Sequence, residues 1–257
     1  MSDHGRFIWY ELMTPDLPAA RTFYGDVVGW TSSQMPGDGM EYWLLEAGGA
    51  PVGGAMPLGD EHKAQGVPPN WTGYVAVDDC DAAAAKVTSL GGSVMRAPED
   101  IPGIGRFAIV ADPFGAVFAI MKPTPPEGGR PETPPQAPGH AGWRELYSGP
   151  TDTTLAFYEA LFGWKNDGAH DMGPMGTYQL FANQDGQVGG MMLKPEQVPM
   201  ACWLFYFRVG DIDAAAGRVS AGGGQVMNGP MEVPSGDWVL QATDPQGAVF
   251  CLMGTKG

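Results

Sequence analysis

The chain has 257 residues, 44% of them hydrophobic, enough for two ordinary cores, and no apolar stretch is long enough to span a bilayer. Its formal charge of -15, from Lys+Arg 14 against Asp+Glu 29, gives an acidic surface that repels phosphate backbones and anionic headgroups, so nucleic acid and membrane surfaces are excluded as expected partners. The cysteines Cys80, Cys202 and Cys251 are odd in number, widely spaced and set among apolar residues. They read as reduced, buried thiols rather than a disulfide frame or zinc knuckle, and residues 1–5 carry no basic start followed by an apolar run, so the expected location is cytoplasmic.

From the N-terminus, residues 7–13 alternate as a strand that puts Phe7, Trp9, Glu11 and Met13 on one face. Asp16 is placed as the N-cap of a helix whose apolar stripe is Ala20, Phe23, Tyr24 and Val27, and Gly29 stops it. Short strands follow around residues 42–46 and 51–56, separated by Gly-rich turns, and residues 71–77 read as another strand. Asp79 or Asp81 caps a second helix through Ala84, Val87 and Leu90, ended by Gly91-Gly92. Strands at 93–96, 105–111 and 116–121 complete this half, joined by residues 101–105 and by the turn Asp112-Pro113-Phe114-Gly115.

Residues 6–122 then recur, with changes, at 140–254. Trp9-Tyr10-Glu11-Leu12 returns as Trp143-Arg144-Glu145-Leu146, Phe23-Tyr24 as Phe157-Tyr158, and Gly29-Trp30 as Gly163-Trp164. Val52-Gly53-Gly54 returns as Val188-Gly189-Gly190, and the Asp-Pro turn as Asp244-Pro245-Gln246-Gly247. A repeat that keeps its turns and aromatic anchors reproduces one folded unit twice. The second copy predicts a helix over 152–161, strands near 178–182, 187–193 and 202–209, a helix from Asp211, and strands at 225–227, 237–243 and 248–253. Between the copies, the proline-dense stretch 123–139 can be neither helix nor central strand and reads as an extended linker between domains at 1–122 and 140–257.

The expected architecture is α+β: four βαβββ modules, paired to bury the apolar face that a single curved sheet leaves exposed. These modules resemble the vicinal oxygen chelate superfamily, which includes glyoxalase I, bleomycin-resistance proteins, fosfomycin-resistance enzymes and extradiol dioxygenases. The resemblance rests on the strand–Asp–helix–Phe-Tyr–Gly-Trp run, Val77-Asp78-Asp79-Cys80-Asp81-Ala82-Ala83-Ala84, residues 101–107, and the Asp-Pro-x-Gly-Ala-Val-Phe turns at 112–118 and 244–250. It implies two glyoxalase-like half-barrel domains and, in the enzymes, one divalent metal held by inward His, Gln or Glu. Carried over position by position, the resemblance puts those ligands at Trp9 and Trp143, Thr72 and Leu204, and Ala119 and Cys251. None is a typical hard ligand, so no metal and no cofactor are expected. His4, His62, His140 and His170 are expected in loops or at segment ends, with His140 nearest a strand.

Glu11 and Glu145 stand out because a carboxylate on an inward strand face is costly unless it accepts hydrogen bonds or holds a proton. Either it is a general base or ligand acceptor, or it is a structural acceptor tied to backbone amides or to an arginine such as Arg106 or Arg144. The aromatic residues Trp9, Trp43, Tyr74, Phe107, Trp143, Tyr147, Tyr178 and Tyr206 are the candidate ligand-binding surface, with Trp71, Trp203 and Trp238 adding to the aromatic supply; core packing is the competing role for each. The Val-Gly-Gly runs read as bulges or close backbone approach. Three functions are compatible with these residues. The first is a metal-free, bleomycin-resistance-like protein, monomer or homodimer, that binds a small apolar or aromatic molecule. The second is a glyoxalase-like lyase or a metal-independent hydroxylase or isomerase using Glu11 or Glu145 as base. The third is a scaffold with a fully packed interior.

Overall fold

A computed structural model of the chain describes residues 2–36, 41–124 and 137–257. Most of the expected linker, 125–136, lies outside the described residues. The first copy runs β1 (Phe7–Thr14), α1 (Leu17–Val28), β2 (Thr31–Gln34), β3 (Trp43–Ala47), β4 (Ala50–Pro57), α2 (Asp60–Ala64), β5 (Asn70–Ala76), α3 (Cys80–Ser89), β6 (Ser93–Ile101), β7 (Gly105–Ala111) and β8 (Val117–Pro123). The second runs β9 (Ala141–Ser148), α4 (Thr151–Phe162), β10 (Lys165–Asp171), β11 (Thr177–Asn183), β12 (Gly186–Leu193), β13 (Cys202–Asp211), α5 (Ile212–Ala221), β14 (Gln225–Glu232), β15 (Trp238–Thr243) and β16 (Val249–Thr255).

The strands form two eight-stranded sheets ordered β2-β3-β4-β1-β5-β8-β7-β6 and β10-β11-β12-β9-β13-β16-β15-β14. Within each module the first strand runs parallel to the last, as in β1 beside β4 and β13 beside β16. The α+β class and the four βαβββ modules are therefore as the residue pattern implies. None of the helices is long and apolar enough to cross a membrane, among the described residues.

Helix starts follow the capping chemistry. Asp16 accepts the Ala19 amide at 3.0 Å, Asp79 accepts that of Ala82 at 2.9 Å, and Asp211 accepts those of Asp213 and Ala214, each satisfying amides with no intrahelical partner. Gly29 and Gly163 close α1 and α4 in the left-handed conformation that only glycine adopts cheaply. Several strands extend beyond the pattern, among them β14, which runs on to Glu232 through two register shifts. β2 and the fully exposed β10 are polar edge strands with no apolar alternation to announce them, and β6 runs on to Ile101 through two register shifts. His62 sits in α2 and His170 in β10, not in loops as expected.

The chain folds into two compact units, each drawn from both sequence copies. Unit one comprises the N-terminal segment through Ile8, the stretch beginning at Thr72, and Trp143–Trp203. Unit two comprises Trp9–Trp71, the segment ending at Gly142, and Leu204–Gly257. The repeated motifs explain this cross-copy assembly.

In unit two, α1 carries Tyr24, whose hydroxyl donates to Asp244 at 3.1 Å and accepts the Trp71 indole N–H at 2.9 Å. Asp244 meanwhile accepts the amides of Gln246 and Ala248 in its own turn. In unit one the partners change copy. Tyr158 on α4 donates to Asp112 at 3.3 Å and accepts the Trp203 indole at 3.3 Å, and Asp112 holds the amides of Phe114 and Ala116 and the Ser148 hydroxyl at 2.7 Å. The Gly-Trp motif reaches the segment just ahead of the other copy. The Trp30 indole donates to the Gly139 carbonyl at 2.8 Å and the Trp164 indole to that of Gly5 at 2.7 Å. Buried polar groups need partners, and here each tyrosine finds its aspartate in the other copy and its indole in its own.

Around these bonds the cores are aromatic. In unit one Trp164 stacks on Phe181 at 4.6 Å and on Tyr158 at 5.2 Å. In unit two Trp30 meets Phe207 edge-on at 4.8 Å. Trp71 and Trp203 thus belong to the cores.

Candidate functional site

Strand β1 alternates as its sequence demands: Tyr10, Leu12 and Thr14 are buried, while Phe7, Trp9, Glu11 and Met13 on the other face are half-buried. On that second face of unit two, the Trp9 indole N–H donates to the Tyr42 hydroxyl at 2.8 Å, and the hydroxyl donates to Glu11 Oε2 at 3.1 Å. Unit one repeats the arrangement. The Trp143 indole donates to the Tyr178 hydroxyl at 2.8 Å, and Tyr178 is hydrogen-bonded in turn to Glu145. An indole, a phenol and a carboxylate form one directed chain in each unit.

The glycines make room for it. Gly54 lies opposite Glu11 in the β1–β4 register, and Gly190 opposite Glu145 in β9–β12. A methyl group at Gly54 would overlap the Tyr42 ring and hydroxyl, and one at Gly190 would overlap the Tyr178 ring. The preceding glycines, Gly53 and Gly189, lie against the carbonyls of Tyr10 and Arg144. The expected close approach is therefore real, and its second glycine serves the site: it lets a tyrosine lie flat on the strand beside the carboxylate.

Burial, and then the adjacent carboxylate charge, raise the phenols of Tyr42 and Tyr178 well above the ordinary tyrosine range. Both phenols keep their protons, so each is a fixed donor to its glutamate. Glu145 is the more enclosed carboxylate, 7% exposed against a half-buried Glu11. Cys202 lies near it, its thiol pushed up to about 11 by burial and by the Glu145 charge, with Lys194 opposing. Tyr147 is also electrostatically coupled to Tyr178, where the first copy has Met13.

The other candidates make the following contacts. Trp43 lies under the Arg21 guanidinium, 3.1 Å from the ring centre, and its indole donates to Glu41 at 2.9 Å. Tyr74 and Phe107, both buried, pack at 6.2 Å in unit one, with Arg96 5.1 Å over the Phe107 ring. The buried Tyr206 hydroxyl accepts the Gln241 amide at 3.1 Å in unit two.

Tyr42 was missed in favour of its neighbour Trp43. The signal was present in the repeat: Tyr42 stands as far before Gly54 as Tyr178 does before Gly190.

Of the two arginines considered as partners for the glutamates, Arg106 pairs with Asp81 and Asp100. Arg106 is bidentate to Asp81 at 2.7 and 2.9 Å, and the Arg144 guanidinium lies 5.5 Å over the Phe7 ring. His140 is partly buried, which holds its imidazole below the ordinary value.

A divalent ion does not fit the residues at the positions carried over from the resemblance. Trp9 and Trp143 offer only N–H donors, already used; Leu204 and Ala119 offer nothing; Thr72 and the fully buried Cys251 supply one hydroxyl and one thiol, too few and too unlike for a divalent ion's ligand set. Among the described residues no group of three His, Cys, Asp or Glu converges to hold a metal.

The chain belongs to the Glyoxalase/Bleomycin resistance protein/Dioxygenase superfamily, whose model matches it twice, at residues 6–120 and 138–252. It is 34% identical over 247 residues to the putative glyoxylase CFP32 of Mycobacterium tuberculosis (strain CDC 1551 / Oshkosh), covering 95% of this chain and 93% of that one. It is 32% identical over 259 residues to the anthracycline biosynthesis protein DauV of Streptomyces sp. (strain C5), covering 95% and 91%. In fold it is similar to the Mn(II)-bound glyoxalase from Novosphingobium aromaticivorans, with a TM-score of 0.63 at 18% identity, covering 100% of this chain and 83% of the other. The 2,3-dioxygenase LapB from Pseudomonas sp. KL28 is likewise similar, with a TM-score of 0.67 at 14% identity, covering 100% and 94%.

Proposed function

We propose that this glyoxalase-superfamily protein binds a small apolar or aromatic molecule at its two indole–phenol–carboxylate chains, without a metal ion. The observation that carries the reading is the recurrence of one hydrogen-bond chain in both units, with its indole at the position where the superfamily resemblance puts a metal ligand. An indole edge and a flat phenol beside a carboxylate suit stacking with one polar anchor. The anthracycline biosynthesis relatives support an organic small molecule as the ligand. The same reading treats residues 1–122 and 140–257 as the inherited repeats joined by 123–139. It also takes the protein as cytoplasmic, a monomer or homodimer, in keeping with its three thiols and acidic charge.

Elemental analysis of freshly purified protein, together with equilibrium dialysis against a panel of planar aromatic compounds, tests it. Substoichiometric metal with saturable binding is expected; a stoichiometric, tightly held divalent ion would overturn the metal-free reading.

A second reading is enzymatic, favoured by a carboxylate fixed by a phenol that stays protonated and by relatives named putative glyoxylase. Here Glu11 or Glu145 takes a proton from the bound molecule as general base, in a lyase, hydroxylase or isomerase reaction. Glu11→Gln and Glu145→Gln are expected to lower a found turnover by about 100-fold or more while ligand still binds. Unchanged turnover in both variants removes this reading.

A further inference from the structure

Arg21, on α1 of unit two, is a guanidinium held in place without a carboxylate. Its plane lies over the Trp43 ring, 3.1 Å from the ring centre, and its Nε donates to the Ser32 hydroxyl on β2 at 2.9 Å. A stacked face and one hydrogen bond together fix both the tilt and the rotation of a planar group. Other arginines are spent on acids: Arg6, Arg96, Arg106 and Arg208 each pair with an aspartate or glutamate. Among the described residues no carboxylate forms an ion pair with Arg21, and Glu41 is bonded instead to the Trp43 indole N–H at 2.9 Å.

What Arg21 has left to offer is its pair of terminal nitrogens. They are absent from the buried, unpartnered atoms of the described residues, so they face solvent. Arg21 lines an open groove of about 280 Å³ with Pro18, Thr22 and Ser32, and no acid is among these lining residues. The Thr22 hydroxyl is spent on the Pro18 carbonyl at 3.1 Å, whereas the Ser32 hydroxyl, having accepted from Nε, keeps its own O–H to donate. The groove therefore presents one positive charge and donors on two side chains.

Unit one has no counterpart. The repeat puts the buried Leu155 at the position of Arg21, and Asn166 and Gln179 at those of Ser32 and Trp43, where the two amides bond to one another at 3.5 Å. The core hydrogen bonds were kept in both copies; this cluster belongs to the first alone.

We infer that the Arg21 groove binds a small oxyanion, a carboxylate or phosphate group whose two oxygens accept the two terminal guanidinium N–H groups side by side, with the Ser32 hydroxyl as a further donor. Such paired bonding is what a planar fork provides and a single ammonium does not. The net charge of -15 opposes anions at long range, but in about 0.1 M salt that repulsion is largely screened beyond about 10 Å, which leaves the nearby donors to decide.

NMR titration of the ¹⁵N-labelled full-length protein tests this, with inorganic phosphate, acetate and chloride added at matched ionic strength. The Arg21 Nε–H and the backbone amides of Thr22 and Ser32 are followed. Saturable shifts on the order of millimolar affinity are expected with phosphate or acetate and not with chloride. Saturation by phosphate alone assigns a phosphate group to the site, and saturation by acetate assigns a carboxylate. Shifts no different from those of chloride in both arms overturn the inference.

Arg21→Lys keeps the charge and removes the fork, and is expected to weaken binding about tenfold, read on the same two amides. Ser32→Ala removes both the Nε acceptor and the extra donor, and should weaken it about threefold. Unchanged affinity in Arg21→Lys overturns the paired geometry, since a point charge would then suffice.

Discussion

Units one and two use one hydrogen-bonding plan with different neighbours. On the core side, Asp112 of unit one holds a tyrosine, two turn amides and the Ser148 hydroxyl, whereas Asp244 of unit two holds a tyrosine and two turn amides. On the site side, Glu145 is buried near Cys202 and its phenol is coupled to Tyr147, whereas Glu11 is half-buried with Met13 next on its strand face. Duplication preserved the polar skeleton. What changed is how enclosed each carboxylate is, and enclosure governs how costly it is to disturb.

The largest test of that comparison is to remove the core carboxylates. Asp112→Ala strands a buried phenol, a serine hydroxyl and two turn amides, and is expected to cost about 3–5 kcal/mol of unfolding free energy. Asp244→Ala strands one hydroxyl fewer and should cost about 1 kcal/mol less. Chemical denaturation of both variants checks the order; an equal or reversed pair would mean that Ser148 contributes nothing to unit one.

Next come the glycines under the tyrosines. Gly190→Ala and Gly54→Ala force the rings off their strands and are each expected to cost about 1–3 kcal/mol, as overpacking does. Beyond stability, each should weaken ligand binding at its own site. The more enclosed unit one should suffer more. A ranking with Gly54→Ala clearly worse would show that burial of the glutamate is not what stiffens the site.

The smallest effect is in pH dependence. Burial raises the Asp244 carboxyl above the ordinary aspartate value, although its turn amides and Tyr24 pull the other way. A carboxyl whose folded value is raised contributes stability that is complete below its unfolded value and is lost as pH rises through the folded one. Asp244→Asn keeps an oxygen for the amides and removes this titration. Its stability relative to wild type should therefore climb as pH rises out of the ordinary aspartate range towards neutrality. A difference that is flat with pH would show that the turn amides fully offset burial.

Much of the fold was legible because it is local. Asp16 and Asp211 cap helices where their spacing placed them, Asp79 rather than the alternative Asp81 caps α3, Gly29 ends α1, and the alternation of β1 assigns Trp9 and Glu11 to one face and Tyr10 and Leu12 to the other. The edge strands β2 and β10 were not legible, because a polar strand held only by its neighbour's backbone carries no apolar period.

The site was half legible. Glu11, Glu145, Trp9, Trp143 and Tyr178 are all in the chains, but Tyr42 was passed over for Trp43 because ring size is a poorer guide than position relative to the glycine that admits the ring. Trp71 and Trp203 could not be sorted from cavity-lining rings by type alone. Their indoles are spent on Tyr24 and Tyr158 in the cores.

By itself, the order of residues determined the duplication, the βαβββ module, the family and the strand face that carries Trp9 and Glu11, since periodicity, capping and repeat spacing are properties of neighbours along the chain. Only the tertiary structure decided that Tyr24 answers to Asp244 and Tyr158 to Asp112, so that each compact unit takes modules from both copies. A buried hydroxyl is satisfied by whatever group lies next to it in space, and with two equivalent aspartates in the chain, local sequence cannot say which one that is.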